Sequence, residues 1–317
     1  MKGIFLFPGQ GAQYPGMGLD LIETSAEAKK IFETASTVLG RDMATLIRDS
    51  DADTLKRTDI SQNAISVVSL AAAACLKERG IIPIACAGFS VGEYPALCSA
   101  GILSLEDCFR LTDSRGKAMQ AAIDRIQTES AGIAPGMSAV IGLAPEQVEA
   151  LIAQWKSNGL TDLYAANFNS PKQVVVSGSA AALEEAEKRF KEAGARRVLR
   201  LAVAGPFHSP FMKDAAEAFA ATLDKVTFSD PVIPLFSNVT GKQIQSGAEA
   251  KALAQRQIAE GVRWTDVEAS LAALQPEALF EAGPGKVLQG LWRDTGSTVP
   301  CNAAGTAADI NELTKIN

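Results

Sequence analysis

The sequence predicts an α/β fold, a large domain built on a parallel sheet and interrupted by a small inserted one. Three observations carry this. Strand-like and helix-like segments alternate through residues 1–126. Ile81 to Ala87 is an unbroken apolar run ahead of a glycine, as in a parallel strand covered on both faces. Residues 127–202 instead follow the order β-α-β-β-α-β, that of a ferredoxin-like unit.

Taken in order, Gly3 to Phe7 reads as a buried strand, Ala26 to Leu39 as a helix, and Ser61 to Arg79 as a long buried helix closed by Gly80. Helices are expected from Val91 to Ala100 and from Ser104 to Arg125. Gln127 to Gly136, rich in small and polar residues, reads as a linker. Met137 to Leu143 then reads as a strand, and Pro145 to Ser157 as a helix with proline in its first turn. Leu163 to Asn167 and Gln173 to Ser177 read as strands joined by a loop around Asn169-Ser170-Pro171. Leu183, Ala186, Phe190 and Ala193 share one helical face, and Leu199, Leu201 and Val203 alternate as a strand.

Further on, Met212, Ala215, Phe219, Leu223 and Val226 give another helical face, and Ile233 to Phe236 a strand. Residues 248–259 and 265–274 read as helices, and Ala278 to Glu281 as a strand before Gly283-Pro284-Gly285. The expected division is therefore 1–126 with 203–317 as the large domain, and 127–202 as the insertion.

With 47% apolar and 21% charged residues among 317, the composition is that of an ordinary globular protein. A net charge of −6 argues against nucleic acid or an anionic membrane as the partner of the whole molecule. The longest uncharged apolar stretch near the middle, Ala64 to Leu76, is too short to span a bilayer. The apolar start of the chain stops at Pro8-Gly9, which favours a buried strand over a secretory signal. Five cysteines, an odd number with no CxxC pair, are expected to be reduced core thiols of a cytoplasmic protein. A monomer is the simplest expectation.

Chemistry concentrates in a few places. Gly88-Phe89-Ser90-Val91-Gly92 is a G-x-S-x-G pattern between a predicted strand and a predicted helix, the setting of a nucleophile elbow. The following N–H groups, at a helix N-terminus, suit a developing oxyanion; the alternative is a helix-capping serine. Such a serine needs a base, and the chain has one histidine, His208, between a predicted strand and helix. The alternative there is a histidine that merely caps the helix. A single histidine excludes multi-histidine metal sites. Gly9-Gln10-Gly11-Ala12-Gln13 follows the first strand, and a glutamine amide there suits an oxyanion hole, or the segment is only a glycine-rich turn. It is no P-loop, since no G-K-[S/T] closes it. Arg115, among Leu111, Ala118 and Met119, suits a substrate carboxylate; the alternative is an arginine that is solvated or paired with a structural acid.

Together the motifs resemble those of malonyl-CoA:acyl-carrier-protein transacylases and the related acyltransferase domains of polyketide synthases. The resemblance runs nearly end to end through Phe7 to Gln13, Gly88 to Glu93, Arg115-Gly116-Lys117, Asn167 to Pro171, Phe207-His208, Ser237 to Gly241 and Glu281 to Gly285. It implies a hydrolase-like large domain with a ferredoxin-like insertion. It implies malonyl transfer from malonyl-CoA to the phosphopantetheine thiol of acyl carrier protein by a ping-pong route, a chemistry shared by fatty-acid synthesis, polyketide assembly and a malonate-decarboxylase accessory role. No cofactor beyond the coenzyme A thioester substrate is implied. Carried over, Ser90 is nucleophile and His208 base, Gln10 and the Val91 N–H form the oxyanion hole, and Arg115 clamps the carboxylate. No acid completes a triad; the main-chain carbonyl of Gln257, in Arg256-Gln257-Ile258, orients the histidine.

Phe89 departs from the histidine usual in the family and places an apolar ring beside the acyl pocket. Phe207 matches the malonyl type and leaves little space for an α-methyl branch. Lys188, Arg189, Lys191, Arg196, Arg197 and Arg200 are candidate docking charges for an acidic carrier; the alternative for most of them is a solvated helix face. The rival readings are a serine hydrolase or thioesterase, an acyltransferase of other selectivity, and an inactive binding subunit.

Overall fold

The computed structural model describes residues 1–130 and 133–313. Residues 131 and 132 of the expected linker, and 314–317 at the end of the expected large domain, lie outside the described residues. Among the described residues nine strands fall into two sheets. They are β1 (Lys2–Phe7), β2 (Ile82–Gly88), β3 (Gly136–Ile141), β4 (Leu163–Ser170), β5 (Gln173–Gly178), β6 (Arg197–Arg200), β7 (Leu235–Phe236), β8 (Leu279–Glu281) and β9 (Cys301–Ala303).

The first sheet has the order β7-β2-β1-β8-β9 and every pairing in it is parallel. Its faces are covered on both sides: Phe5, Phe7 and Cys86 enter one apolar cluster, and Ile4, Leu6, Ala85 and Ala87 another. That double coverage explains the continuous apolar runs of β1 and β2. Thr58–Glu78 is long and apolar enough to cross a bilayer by length and composition, but 83% of its most apolar stretch is buried inside the protein. It packs as a core helix beside the long helix Leu105–Glu129.

The second sheet, β4-β5-β3-β6, is antiparallel. Period-two alternation sorts its two faces. Val174 and Val176 join Trp155 and Phe190 from the helices Pro145–Ser157 and Ala180–Glu192, whereas Val175, Met137 and Ala139 turn toward the first sheet's unit.

Several boundaries differ from expectation, for identifiable reasons. The long helix runs on to Glu129, so the start of the expected linker is helical. The helix after the elbow is split, a 3₁₀ turn Ser90–Gly92 preceding Glu93–Ser99. β4 continues through Ser170, which leaves a two-residue turn where a longer loop was expected. The strand around residue 235 is short because Pro234 has no N–H to donate to a ladder. Ala193 lies beyond its helix and is exposed. Leu201 and Val203 lie past the end of β6 and line a cavity, so their alternation marked a cavity wall and not a strand. All five cysteines are free, Cys98 and Cys301 only partly buried.

Candidate active site

The strand-to-helix turn at the end of β2 is tightly enforced. A Cβ on Gly88 would lie 1.9 Å from the Gly92 carbonyl oxygen, and one on Gly92 would lie 2.1 Å from that of Phe7. No side chain fits at either position. Between them Ser90 has φ 53°, a left-handed conformation that a non-glycine residue adopts only where its surroundings hold it. The Asn238 side chain does so, accepting from the Ser90 N–H at 2.6 Å and donating to the Gly88 carbonyl at 2.6 Å.

His208 has the same φ of 53°. The Phe207 carbonyl accepts from Ser177 Oγ at 2.6 Å, and the Pro206 carbonyl from Ser209 Oγ at 2.6 Å, which pins the backbone on both sides. The imidazole Nδ1 lies 2.8 Å from the Gln257 carbonyl oxygen and 3.2 Å from that of Glu260. Both partners only accept, so Nδ1 carries the proton. Nε2 is left as acceptor for the Ser90 hydroxyl, 2.9 Å away. Burial and the nearby Arg115 charge together push the imidazole down to about 4, against the smaller opposing effect of the two carbonyls.

Arg115 reaches the same point from the helix Leu105–Glu129 and is fully buried. Its Nη1 donates to Gln62 Oε1 at 2.8 Å, and its Nη2 to Gln257 Oε1 at 3.0 Å and to Ser90 Oγ at 3.3 Å. The guanidinium lies over the Tyr94 ring, 5.6 Å from its centroid. Its Nε is buried with no acceptor among the described residues, and one Nη1 hydrogen also remains of the five guanidinium donors.

A cavity of about 590 Å³ opens onto Ser90 and His208. Gln10, Phe89 and Phe207 line it, with Asn167 and Val175 from the second sheet. Arg115 does not; it sits behind Ser90. The Gln10 amide donates to the Lys56 carbonyl at 3.4 Å, and Gln13 Oε1 accepts from the Gly11 N–H at 2.7 Å, tightening that turn. Because the Ser90 N–H is engaged by Asn238, the next donor in the turn is the Val91 N–H. It lies at the start of the 3₁₀ turn, where no intrahelical acceptor exists. Phe89 packs edge-on against Trp264, ring centroids 5.4 Å apart. Of the candidate docking cations, Lys188, Arg189 and Arg200 are paired with Glu184, Glu185 and Glu187 of their own unit.

All eight candidate site residues thus gather within one neighbourhood. Glu93, Asn238, Gln62 and Tyr94 join them without having been singled out in the sequence. Asn238 lay in a motif already noted, but only folding brings it to Ser90. Glu93, the last residue of the Gly88 to Glu93 motif, stands in the first turn of the helix after the elbow, yet it is 1% exposed and burial pushes its carboxyl up to about 7.

The acyl transferase domain family matches residues 4–314. The malonyl CoA-acyl carrier protein transacylase of Haemophilus influenzae is 39% identical over 98% of both chains. The acyl carrier protein S-malonyltransferase of Vibrio cholerae has a similar structure, with TM-score 0.90 at 36% identity over 98% of this chain and 99% of that one. A malonyl-transacylase solved in complex with a type II PKS acyl-carrier protein gives TM-score 0.90 at 34% identity over 99% of each. A match of this extent makes the chain a member of the acyl transferase family to which the malonyl CoA-acyl carrier protein transacylases belong.

Proposed function

We propose that this acyltransferase moves a malonyl group from malonyl-CoA to the phosphopantetheine thiol of an acyl carrier protein, through a malonyl ester on Ser90. The observation that carries the proposal is Ser90 Oγ itself, 2.9 Å from the His208 Nε2 acceptor and 3.3 Å from the Arg115 Nη2 cation. A nucleophile set between a base and a buried guanidinium suits an acyl group that ends in a carboxylate.

Ser90 Oγ attacks the thioester carbonyl while His208 Nε2 takes its proton. The imidazolium is steadied by the Gln257 and Glu260 carbonyls at Nδ1, in place of a carboxylate. The Val91 N–H and the Gln10 amide stabilise the oxyanion. His208 returns the proton as the coenzyme A thiol leaves. A carrier thiol then attacks the malonyl-serine by the same steps in reverse. The malonyl carboxylate takes the Arg115 donors, exchanging with the Ser90 Oγ bond that acylation removes. Phe207, on the cavity wall, disfavours a branch beside the carbonyl. Phe89 supplies an apolar wall beside the nucleophile.

In the same reading residues 127–202 form a ferredoxin-like insertion in a hydrolase-like domain of 1–126 and 203–317. The strand order β4-β5-β3-β6, with β3 central and β6 at its edge, supports that assignment. Acylation of purified holo acyl carrier protein is compared with free malonate release from malonyl-CoA. Carrier acylation far above release is expected; release that ignores the carrier would make the chain a hydrolase.

A further inference from the structure

We propose that Glu93 is a positioning residue for the Ser90–His208 pair, acting through Gln257 and Asn238. The inference rests on the reading of that pair given above. Glu93 Oε2 accepts from the Gln257 side chain at 2.9 Å and from the Asn238 backbone N–H at 2.9 Å. These two residues are the supports of the base and of the nucleophile. Gln257 offers its main-chain carbonyl to His208 Nδ1, donates its side-chain amide to the Ser90 carbonyl at 3.0 Å, and accepts from Arg115. Asn238 grips the backbone on both sides of Phe89.

One carboxylate oxygen therefore ties together a turn after β2, the end of the helix Gly247–Arg256 and the segment after β7. Those segments are 145 and 164 residues from Glu93 in sequence, so nothing local holds them in register. Removing the carboxylate leaves two buried donors unsatisfied, and the Gln257 peptide is then free to turn its carbonyl away from His208. A displacement on the scale of one ångström at the reacting atoms costs about 10²-fold in rate.

The test is the rate at which a fluorophosphonate labels Ser90, read by intact mass with Ser90→Ala as control. This readout needs a working Ser–His pair but no acyl substrate. Glu93→Ala is expected to label about 10²-fold more slowly and to lower kcat for malonyl transfer more than it raises KM. Glu93→Asp, which withdraws the carboxylate by one methylene, is expected to be slowed in the same way if Glu93→Ala fails to fold. Glu93→Gln, whose amide oxygen can accept both bonds, is expected to stay close to wild type. Wild-type labelling in a folded Glu93→Ala or Glu93→Asp protein would overturn the inference, even with a lowered thermal midpoint. Glu93→Gln as slow as Glu93→Ala would overturn it too. A wild-type protein labelled on Ser90 that forms no malonyl adduct would sink the acyl-transfer reading and leave this inference standing. No labelling of wild-type Ser90 would overturn both.

Discussion

The unit around the parallel sheet and the unit around the antiparallel sheet contribute to the cavity in different ways. The first supplies Ser90, His208, Arg115 and Gln257, buried polar groups whose hydrogen bonds go mostly to one another. The second supplies walls: Met137, Val175 and Leu201, with Asn167 as its polar member. The chemistry sits beside a sheet covered on both faces, among buried side chains that hydrogen-bond to one another. The second sheet has one face free of its own helices and turns it to the cavity. Changes in the first unit should therefore alter rates of chemistry, and changes in the second should alter binding.

The largest effect short of removing the nucleophile is expected at the base. His208→Ala should lower malonyl transfer by ~10²–10⁴ with a small residual rate. The pH profile sharpens the same point. With the folded imidazole at about 4 and the ordinary value at 6.5, the neutral base persists as pH falls through 6 and 5. The acid limb of kcat/KM should thus lie near 4. Over that window the unfolded chain binds a proton that the folded one refuses, so His208 lowers stability as pH falls below 6.5. An acid limb at 6.5 in steady-state kinetics would contradict the buried geometry.

Next in size is Arg115→Ala, which should lower malonyl transfer roughly 10–100-fold, the worth of a charged hydrogen bond, and leave acetyl transfer much less affected. Equal damage to both acyl groups, in parallel initial-rate assays, would remove the clamp. The smallest effect is expected across the divide. Val175→Ala removes apolar wall worth about 0.8 kcal/mol per methylene, so KM should rise a few-fold with kcat unchanged. A kcat loss as large as that of His208→Ala would erase the contrast between the two units.

The larger elements were legible because period and punctuation coincide. Ala26–Leu39 and Pro145–Ser157 are bounded by Gly40 and by a helix-opening proline, and both match the structure residue for residue. The elbow was legible because its two glycines are sterically required. Short elements such as Met43–Asp49 and Val287–Asp294 were not assigned, since one or two turns carry too little periodicity. Asn238 and Glu93 lie in the motifs Ser237 to Gly241 and Gly88 to Glu93, but their part was not legible there, because it depends on partners more than 140 residues away. Arg115 was ambiguous for the related reason that helical spacing does not say whether an arginine faces solvent or a nucleophile.

The account stands most directly on a covalent malonyl group at Ser90. Wild-type and Ser90→Ala protein are incubated briefly with equal malonyl-CoA and acetyl-CoA, and their intact masses are read. One malonyl adduct on wild type, little acetyl adduct and none on Ser90→Ala is the predicted result. An adduct that survives Ser90→Ala, or acetyl exceeding malonyl on the wild-type enzyme, would contradict it.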